Sequence, residues 1–574
     1  MLALAVIAFA IGAVVGSGHG RSTEKTLADE FTAAWVKHDY GAMYRDIDRS
    51  ARHAIQPSQF AALYQRALRT ATATQLTVAG KAREAGGEVI YVPVTVHTRL
   101  FGTLHERFQL HFRESADGAP PRIVWTRSLE FPGLRKGELL SRRTSLPPRA
   151  ALLSRDGSTL ASGTATAAGE RASPLGAAAS AVVGSVGPIP SEELQQLEAE
   201  GVPPDAIVGV DGLERTFDAQ LRGTPGGTLL AGTRVIASAK ARPGRPVRTT
   251  ISASLQEAAV IALGDHYGGV VVLQPGTQQI LAVAGIGLDG LQPPGSTFKM
   301  VTLTGVLQYK VATPTTSFPY KTYALLDGVK LEDSESESCG GSLALSFAVS
   351  CNSVFAPLGV KLGAPHLVST AERYGFNHSP AIPGAEESTI PPGDDIQGEL
   401  ELGSTAIGQG RVQATPLQMA SVAATIGAGG VRHRPTFELG PRTQGQRVTS
   451  PALAHQIRSM MIDVVTEGTG GSAAVPGVVV AGKTGTAEIG EPSASCSIET
   501  ESPEVSEGGE APESGGCGES GSSNNPEDTD AWFAAFAPAT KPKLAVCVML
   551  VKDGFGGDTA APVAKEILEA GLTG

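Results

Sequence analysis

The sequence predicts a multidomain α+β fold, on three observations. Its 574 residues exceed what one hydrophobic core organises and leave room for three or four domains. Residues 22–131 run helix-period apolar positions first and extended, β-branched runs after them. Farther on, the helix-spaced Phe298, Val301, Leu303 and Val306 and the run Val478-Val479-Val480-Ala481 place both kinds of element in the C-terminal half as well.

Taken in order, Met1 to Gly16 are uninterrupted apolar residues. As helix they span about 24 Å against a hydrocarbon core of ~30 Å, which is short. No Lys or Arg precedes them, yet their continuity predicts a signal-anchor over residues 1–18. That makes the chain a single-pass protein of the cell membrane with its bulk extracytoplasmic; a cleaved signal peptide is the alternative. Between Ser22 and Phe131, Leu27, Phe31 and Trp35 keep helical spacing, as do Phe60, Leu63, Tyr64 and Ala67, so two helices are predicted. Val89 to Val96 and Phe108 to Phe112 read as strands. Residues from about 135 to 250 turn rich in Ala, Gly and Ser.

Three short strings carry the chemistry. Ser296-Thr297-Phe298-Lys299 follows Pro293-Pro294-Gly295, which cannot be helix interior, and opens a helical run. Ser296 and Lys299 therefore share a helix face one turn apart. A serine hydroxyl needs a base to become a nucleophile, and a lysine among apolar neighbours serves once desolvation lowers its pKa. The helix N-terminus adds N–H groups for a developing oxyanion. Ser350-Cys351-Asn352 is expected in a loop; its Ser-x-Asn pattern recurs at Ser522-Ser523-Asn524 and Ser523-Asn524-Asn525, so it is weak alone. Lys483-Thr484-Gly485-Thr486 follows the predicted Val478 strand. There Lys483 offers a cation and Thr484 and Thr486 offer hydroxyls to a terminal carboxylate, while Gly485 lets a peptide backbone come close. Each string also has an ordinary reading: a surface helix capped by its serine, or an edge strand with a solvated lysine.

In this order, Ser-x-x-Lys, Ser-x-Asn and Lys-Thr-Gly resemble the signature of the penicillin-recognising serine acyltransferases, the penicillin-binding proteins and serine β-lactamases. Three further stretches match. Gly268-Gly269-Val270-Val271-Val272-Leu273-Gln274-Pro275 resembles the family's first core strand. Gly408-Gln409-Gly410 with Thr415-Pro416-Leu417-Gln418-Met419-Ala420 resembles its Gly-Gln-Gly…Thr-Pro-Leu-Gln helix, and Asp530 to Pro538 the strand after Lys-Thr-Gly. The resemblance implies a transpeptidase domain over residues 251–574, an antiparallel sheet flanked by helices plus an all-helical subdomain. It also implies roles: Ser296 as acylated nucleophile, Lys299 as its base, Ser350 as proton relay to the leaving amine, Asn352 as an amide partner for substrate. Lys483, Thr484 and Thr486 would hold the substrate carboxylate, and the N–H groups of Ser296 and Thr486 would form the oxyanion hole. The reaction implied is D,D-transpeptidation of D-Ala-D-Ala stem peptides, inhibited by β-lactams.

Upstream, Arg149 to Gly157 is similar to the start of the class B pedestal, with Ala150 for Gly and Ser154 for Asp. Gly212-Leu213-Glu214, Phe217-Asp218, Leu221, Gly223 and Gly226 fit that pedestal better. The domains expected are thus a cone-shaped α+β domain over 21–135, resembling that of methicillin-resistance-type penicillin-binding proteins, and a pedestal, dimerisation-like domain over 136–250. This points to a monofunctional enzyme. Its partners would be peptidoglycan stem peptides, β-lactam antibiotics, the membrane and other cell-wall synthesis proteins.

No metal or cofactor is expected, since the 11 His show no ligand spacing. Nucleic acid is excluded by the lack of a basic patch. Glu491 to Asp530 hold 11 acidic residues and no Lys or Arg, which accounts for the whole net charge of −11 and predicts a disordered acidic insert over 491–528. Of five cysteines, Cys496 and Cys517 bracket this insert, Cys339 and Cys351 lie near the second string and Cys547 in an apolar strand; spacing leaves the pairing open. Class A β-lactamases hold their deacylating water with a Glu before an Asn, whereas Glu399-Leu400-Glu401-Leu402-Gly403 ends on Gly. A β-lactamase or penicillin sensor is therefore the alternative, with a catalytically silent cell-wall scaffold a third reading.

Overall fold

The computed structural model describes residues 21–84, 89–113, 120–333, 337–440, 444–488 and 528–573. The expected anchor at 1–18 lies outside these, as does the acidic insert save Asp528. Among the described residues no helix is long and apolar enough to cross a membrane. The chain forms two compact units: one reaches to Ala151 and takes in Val186–Val210 and Phe217–Pro246, and the other comprises Leu152–Ser185, Asp211–Thr216 and everything from Val247 onward.

The first unit opens with helices over 21–36, Tyr40–Asp46, Arg49–Ala54 and Pro57–Thr70. The sequence predicts only the outer two. The inner pair, 7 and 6 residues long, are too short to show a helical period and are started instead by Asp39 and Asp48, whose carboxylates accept the N–H groups of Ala42 and of Ser50 and Ala51. Strands Ala73–Val78, Val89–Thr98, Gly102–Arg113 and Arg122–Ile123 follow in that antiparallel order. Ile90 pairs with Leu110 and Val92 with Phe108, and these residues share one core with Phe31, Trp35, Phe60 and Tyr64.

In the second unit the Gly212-Leu213-Glu214 string has a clear physical reason. Glu214 and Arg171 are each only 1% exposed and bond at 2.8 Å. Gly212 has φ +55°, and a Cβ there would lie 2.7 Å from the Val183 carbonyl oxygen.

The C-terminal half is built on five strands, β1 (Gly268–Gln274), β2 (Gln279–Gly285), β3 (Ala481–Glu488), β4 (Thr529–Ala537) and β5 (Leu544–Leu550). They form one antiparallel sheet in the order β2-β1-β5-β4-β3. Its helices are, in chain order, α1 (Ala253–Leu263), α2 (Lys299–Gln308), α3 (Leu343–Ala348), α4 (Asn352–Leu362), α5 (Ala364–Tyr374), α6 (Gly398–Ala406), α7 (Pro416–Gly427), α8 (Pro451–Thr466) and α9 (Ala561–Thr573). Val270, Val272, Val546 and Val548 share a core with Leu255 and Ala259 of α1 and Ile567 and Leu568 of α9. Helix α7 packs on β1, β4 and β5. With both faces covered, β1 and β5 read as continuous apolar runs instead of alternating ones. Helices α2, α4, α5 and α6 pack together as the helical half. One boundary differs from the sequence reading. The run Val478-Val479-Val480 lies before β3, because Val475 and Val478 pair across a tight turn at Gly477, φ +74°, leaving Val479 51% exposed.

Candidate active site

Ser296 sits in a 3₁₀ turn, Gly295–Phe298, that runs directly into α2. Gly295 takes φ +50° and donates its N–H to the Gly408 carbonyl at 2.9 Å. A Cβ on Gly295 would lie 2.5 Å from the Thr486 carbonyl oxygen, and one on Gly408 would collide with the Gly295 carbonyl. The Gly-Gln-Gly string and β3 thus grip the Ser296 turn from two sides. Gly485 belongs to the same contact: its Cβ would lie 2.9 Å from the Pro294 carbonyl and 3.0 Å from the Thr297 nitrogen. The close approach expected of Gly485 toward a peptide is one it makes to its own chain.

Helix α2 is no surface helix. Lys299 through Leu307 are all buried, and Lys299 is 0% exposed, whereas Ser296 is only half-buried. Among the described residues the Ser296 hydroxyl makes no hydrogen bond. The Lys299 ammonium turns toward the second string, donating to the Ser350 carbonyl at 2.6 Å, Asn352 Oδ1 at 2.7 Å and Ser350 Oγ at 3.3 Å. Ser350 lies between α3 and α4 at φ +66°, a costly conformation for a residue with a Cβ. The next residue, Cys351, is disulfide-bonded to Cys339 on the strand Cys339–Ser342, a pairing that spacing could not choose; Cys547 is a free buried thiol. Cys496 and Cys517 lie outside the described residues.

From the other side Lys483, also 0% exposed, donates to Ser350 Oγ at 2.9 Å and to the Thr484 carbonyl at 3.0 Å. One hydroxyl therefore stands between two buried lysines. Phe355 lies under the Lys299 ammonium at 5.7 Å and Phe347 under that of Lys483 at 5.6 Å. Burial drives the Lys299 pKa down to about 7, with the Asp333 carboxylate partly opposing it. Burial, and then the charge of Lys299, drive Lys483 well below the usual lysine range. Thr484 is 5% exposed and its hydroxyl meets Thr469 Oγ1 at 2.5 Å, which turns it into the protein. Thr486 is half-buried and its Oγ1 accepts the Gly556 N–H at 3.4 Å, so it is the more accessible of the two.

Glu401 is held by the Gln397 N–H at 2.7 Å and then by the Arg411 guanidinium at 2.8 Å, which keep its carboxyl below the usual range. A Cβ on Gly403 would meet the tip of Leu326 and press on Ala356, so a side chain there requires Leu326 to move. Sequence reasoning missed Thr469 and Asp333, which reach the site only through tertiary folding and carry no string of their own.

The penicillin-binding protein transpeptidase domain matches residues 268–569, the penicillin-binding protein dimerisation domain residues 158–246, and the NTF2-like N-terminal transpeptidase domain residues 23–138. The chain is 32% identical over 432 residues to the peptidoglycan D,D-transpeptidase PbpA of Mycolicibacterium smegmatis, covering 63% of this chain and 79% of that one. It is 31% identical over 405 residues to PbpA of Mycobacterium tuberculosis, covering 58% and 73%. The solved ceftriaxone acyl-enzyme complex of penicillin-binding protein A from M. tuberculosis superposes with a TM-score of 0.56 at 26% identity, over 74% of this chain and 98% of that one. With more than half its length matched by the transpeptidase domain and the Ser-x-x-Lys, Ser-x-Asn and Lys-Thr-Gly strings folded into one site, the chain belongs to the class B penicillin-binding proteins.

Proposed function

We propose that this chain is a peptidoglycan D,D-transpeptidase acting through an acyl-enzyme on Ser296. The observation that carries the site assignment is the Ser350 hydroxyl bonded by two wholly buried lysines, Lys299 and Lys483. With a pKa near 7, neutral Lys299 takes the Ser296 proton as Oγ bonds to the penultimate D-Ala carbonyl carbon. The N–H groups of Ser296 and Thr486 receive the oxyanion. As the C–N bond breaks, Ser350 passes a proton from the lysine pair to the leaving D-Ala amine. A neighbouring stem's amine then attacks the ester, and its surplus proton returns to Ser296. Asn352 orients Lys299 through Oδ1 and faces the substrate backbone; Lys483 and Thr486 take the terminal carboxylate, with Thr484 steadying Lys483. Gly485 keeps β3 against the nucleophile turn.

β-Lactams acylate the same serine. The apolar stretch from Met1 to Gly16 supports a place at the membrane with the catalytic half outside the cytoplasm, among other cell-wall synthesis proteins. The domain reading that goes with this is an anchor at 1–18, a cone-shaped domain at 21–135, a pedestal at 136–250 and the transpeptidase at 251–574. A fluorescent penicillin is expected to label Ser296, as located by mass spectrometry, and Ser296→Ala to abolish the label. An adduct on another residue, or none at saturating drug, refutes the assignment.

A further inference from the structure

We infer that Asp333 is a positioning residue of this site: it fixes the start of the helix that follows the Ser350–Asn352 turn and supplies the negative charge that faces Lys299 across that turn. Asp333 directly follows the strand Val329–Glu332 and is 5% exposed. Its N–H donates to the Thr322 carbonyl at 2.9 Å, which places the residue firmly. Its Oδ1 accepts the Ser353 N–H at 3.0 Å, 20 positions along the chain. Helix α4 needs that acceptor, because its N-cap residue is Cys351, whose sulfur is committed to Cys339 and caps nothing. The preceding residue completes the grip: the Glu332 carbonyl accepts Asn352 Nδ2 at 2.8 Å, which turns Asn352 Oδ1 toward the Lys299 ammonium. Two adjacent residues thus orient both ends of the turn.

The second oxygen of Asp333 is buried and has no hydrogen-bond partner among the described residues. A buried carboxylate left half-satisfied is costly unless its charge is used. Its surroundings supply the use. The hydrogen bonds of Lys299 and Lys483 end on neutral oxygens of Ser350, Asn352 and Thr484. Two ammonium groups buried on neutral acceptors repel each other, and Asp333 is the carboxylate whose charge acts on Lys299. Among the described residues the charge that acts on Lys299 is that of Asp333, and Lys299 in turn acts on Lys483; Glu332 acts on Glu488, and the Cys339–Cys351 sulfurs do not titrate. Asp333 keeps Lys299 from losing its proton too readily, so that it holds the Ser350–Asn352 turn in the resting enzyme and still yields a free base near neutrality.

This inference rests on Lys299 serving Ser296, and its test separates the two claims. Full-length wild type, Asp333→Asn and Asp333→Glu are labelled with fluorescent penicillin from about pH 5 to 9, and the acylation rate constant is read against pH. The Asn variant keeps an acceptor for Ser353 and loses the charge. Its acidic limb is expected to move down by about one pH unit, because an opposite charge beside a base shifts it by that order. The Glu variant, still charged, is expected to keep the wild-type limb. An unmoved limb in a folded Asn variant overturns the inference while leaving the Ser296 assignment intact; no label on wild-type Ser296 overturns both. If the Asn variant does not fold, Asp333→Ser, also neutral and a good cap, decides by the same criterion.

Discussion

Lys299 shows how much of this site depends on one desolvated amine. Its ammonium is 0% exposed and meets only neutral acceptors, so the charged form is penalised and its pKa sits near 7 rather than in the lysine range. For a base whose pKa is lowered, the working neutral form predominates above that value and disappears below it. The acylation rate is therefore expected to be level above about pH 8 and to fall about tenfold per unit below about pH 6, as stopped-flow or gel-based labelling would record. A limb that tracks a carboxylate near pH 4 would remove Lys299 from the role. At this scale the sequence was informative about which residues meet and silent about how. It placed Ser296 and Lys299 on one helix face, but the lysine turns to Ser350 and Asn352 because the α3–α4 turn, held by the disulfide and by Asp333, offers it three oxygens. No local pattern encodes that turn's position.

At the scale of elements, three glycines from strings far apart in the chain do one job. Gly295, Gly408 and Gly485 let the Ser296 turn, the Gly-Gln-Gly loop and strand β3 close to backbone contact. Gly295 is exacting because it carries Ser296 next in the chain, with φ +50° and a Cβ that would sit 2.5 Å from the Thr486 carbonyl. Gly295→Ala is expected to cost about 1–3 kcal/mol of backbone strain, seen as a lower Tm, and to slow acylation about 10- to 100-fold, since Ser296 and the Thr486 N–H are pushed apart. Full activity in this variant would show that the turn has slack. Elements with strong periodicity or an unmistakable start, such as α2 after its prolines or β1 with its valine run, were legible in the sequence. The short helices Tyr40–Asp46 and Arg49–Ala54 were not, because capping by a single aspartate leaves no period. The start of β3 was misplaced because β-branched residues signal a strand wherever they stand, while here a glycine turn uses up the first of them.

Over the whole molecule, the order of the three strings and their supporting stretches made the class B transpeptidase legible in the sequence, whereas the cysteine pairing and the residues behind the site needed the fold. The acidic segment is the clearest remaining case. Its flanks are determined: Glu488 closes β3, Thr529 opens β4, and the two are directly paired across the hairpin. Joining such ends with a short loop demands little, because loop-closure entropy grows slowly with length. Deleting Ser493 to Asn525 is expected to leave the fold intact and change stability by less than about 1 kcal/mol beyond any loss from a Cys496–Cys517 bridge, as chemical denaturation would measure; global unfolding would show that the segment is structural.

The fate of the acyl-enzyme follows from the same molecule-wide packing. Hydrolysis needs a general base that holds a water against the ester. The local counterpart of the β-lactamase pair is incomplete in both members, since Glu401 is tied to Gln397 and Arg411, and Gly403 carries no amide and packs against Leu326 and Ala356. An ester left without that base waits for an amine, which is what cross-linking requires. The penicilloyl adduct on Ser296 is therefore expected to persist for minutes to hours by intact-protein mass spectrometry. With a D-Ala-D-Ala stem donor, adding an acceptor amine should divert released D-Ala from hydrolysed product into cross-linked dimer. Penicillin turnover faster than about 1 per second, within the ordinary range of enzyme rates, would mean that water is activated elsewhere in the site and that hydrolysis, instead of transfer, is the reaction this fold supports.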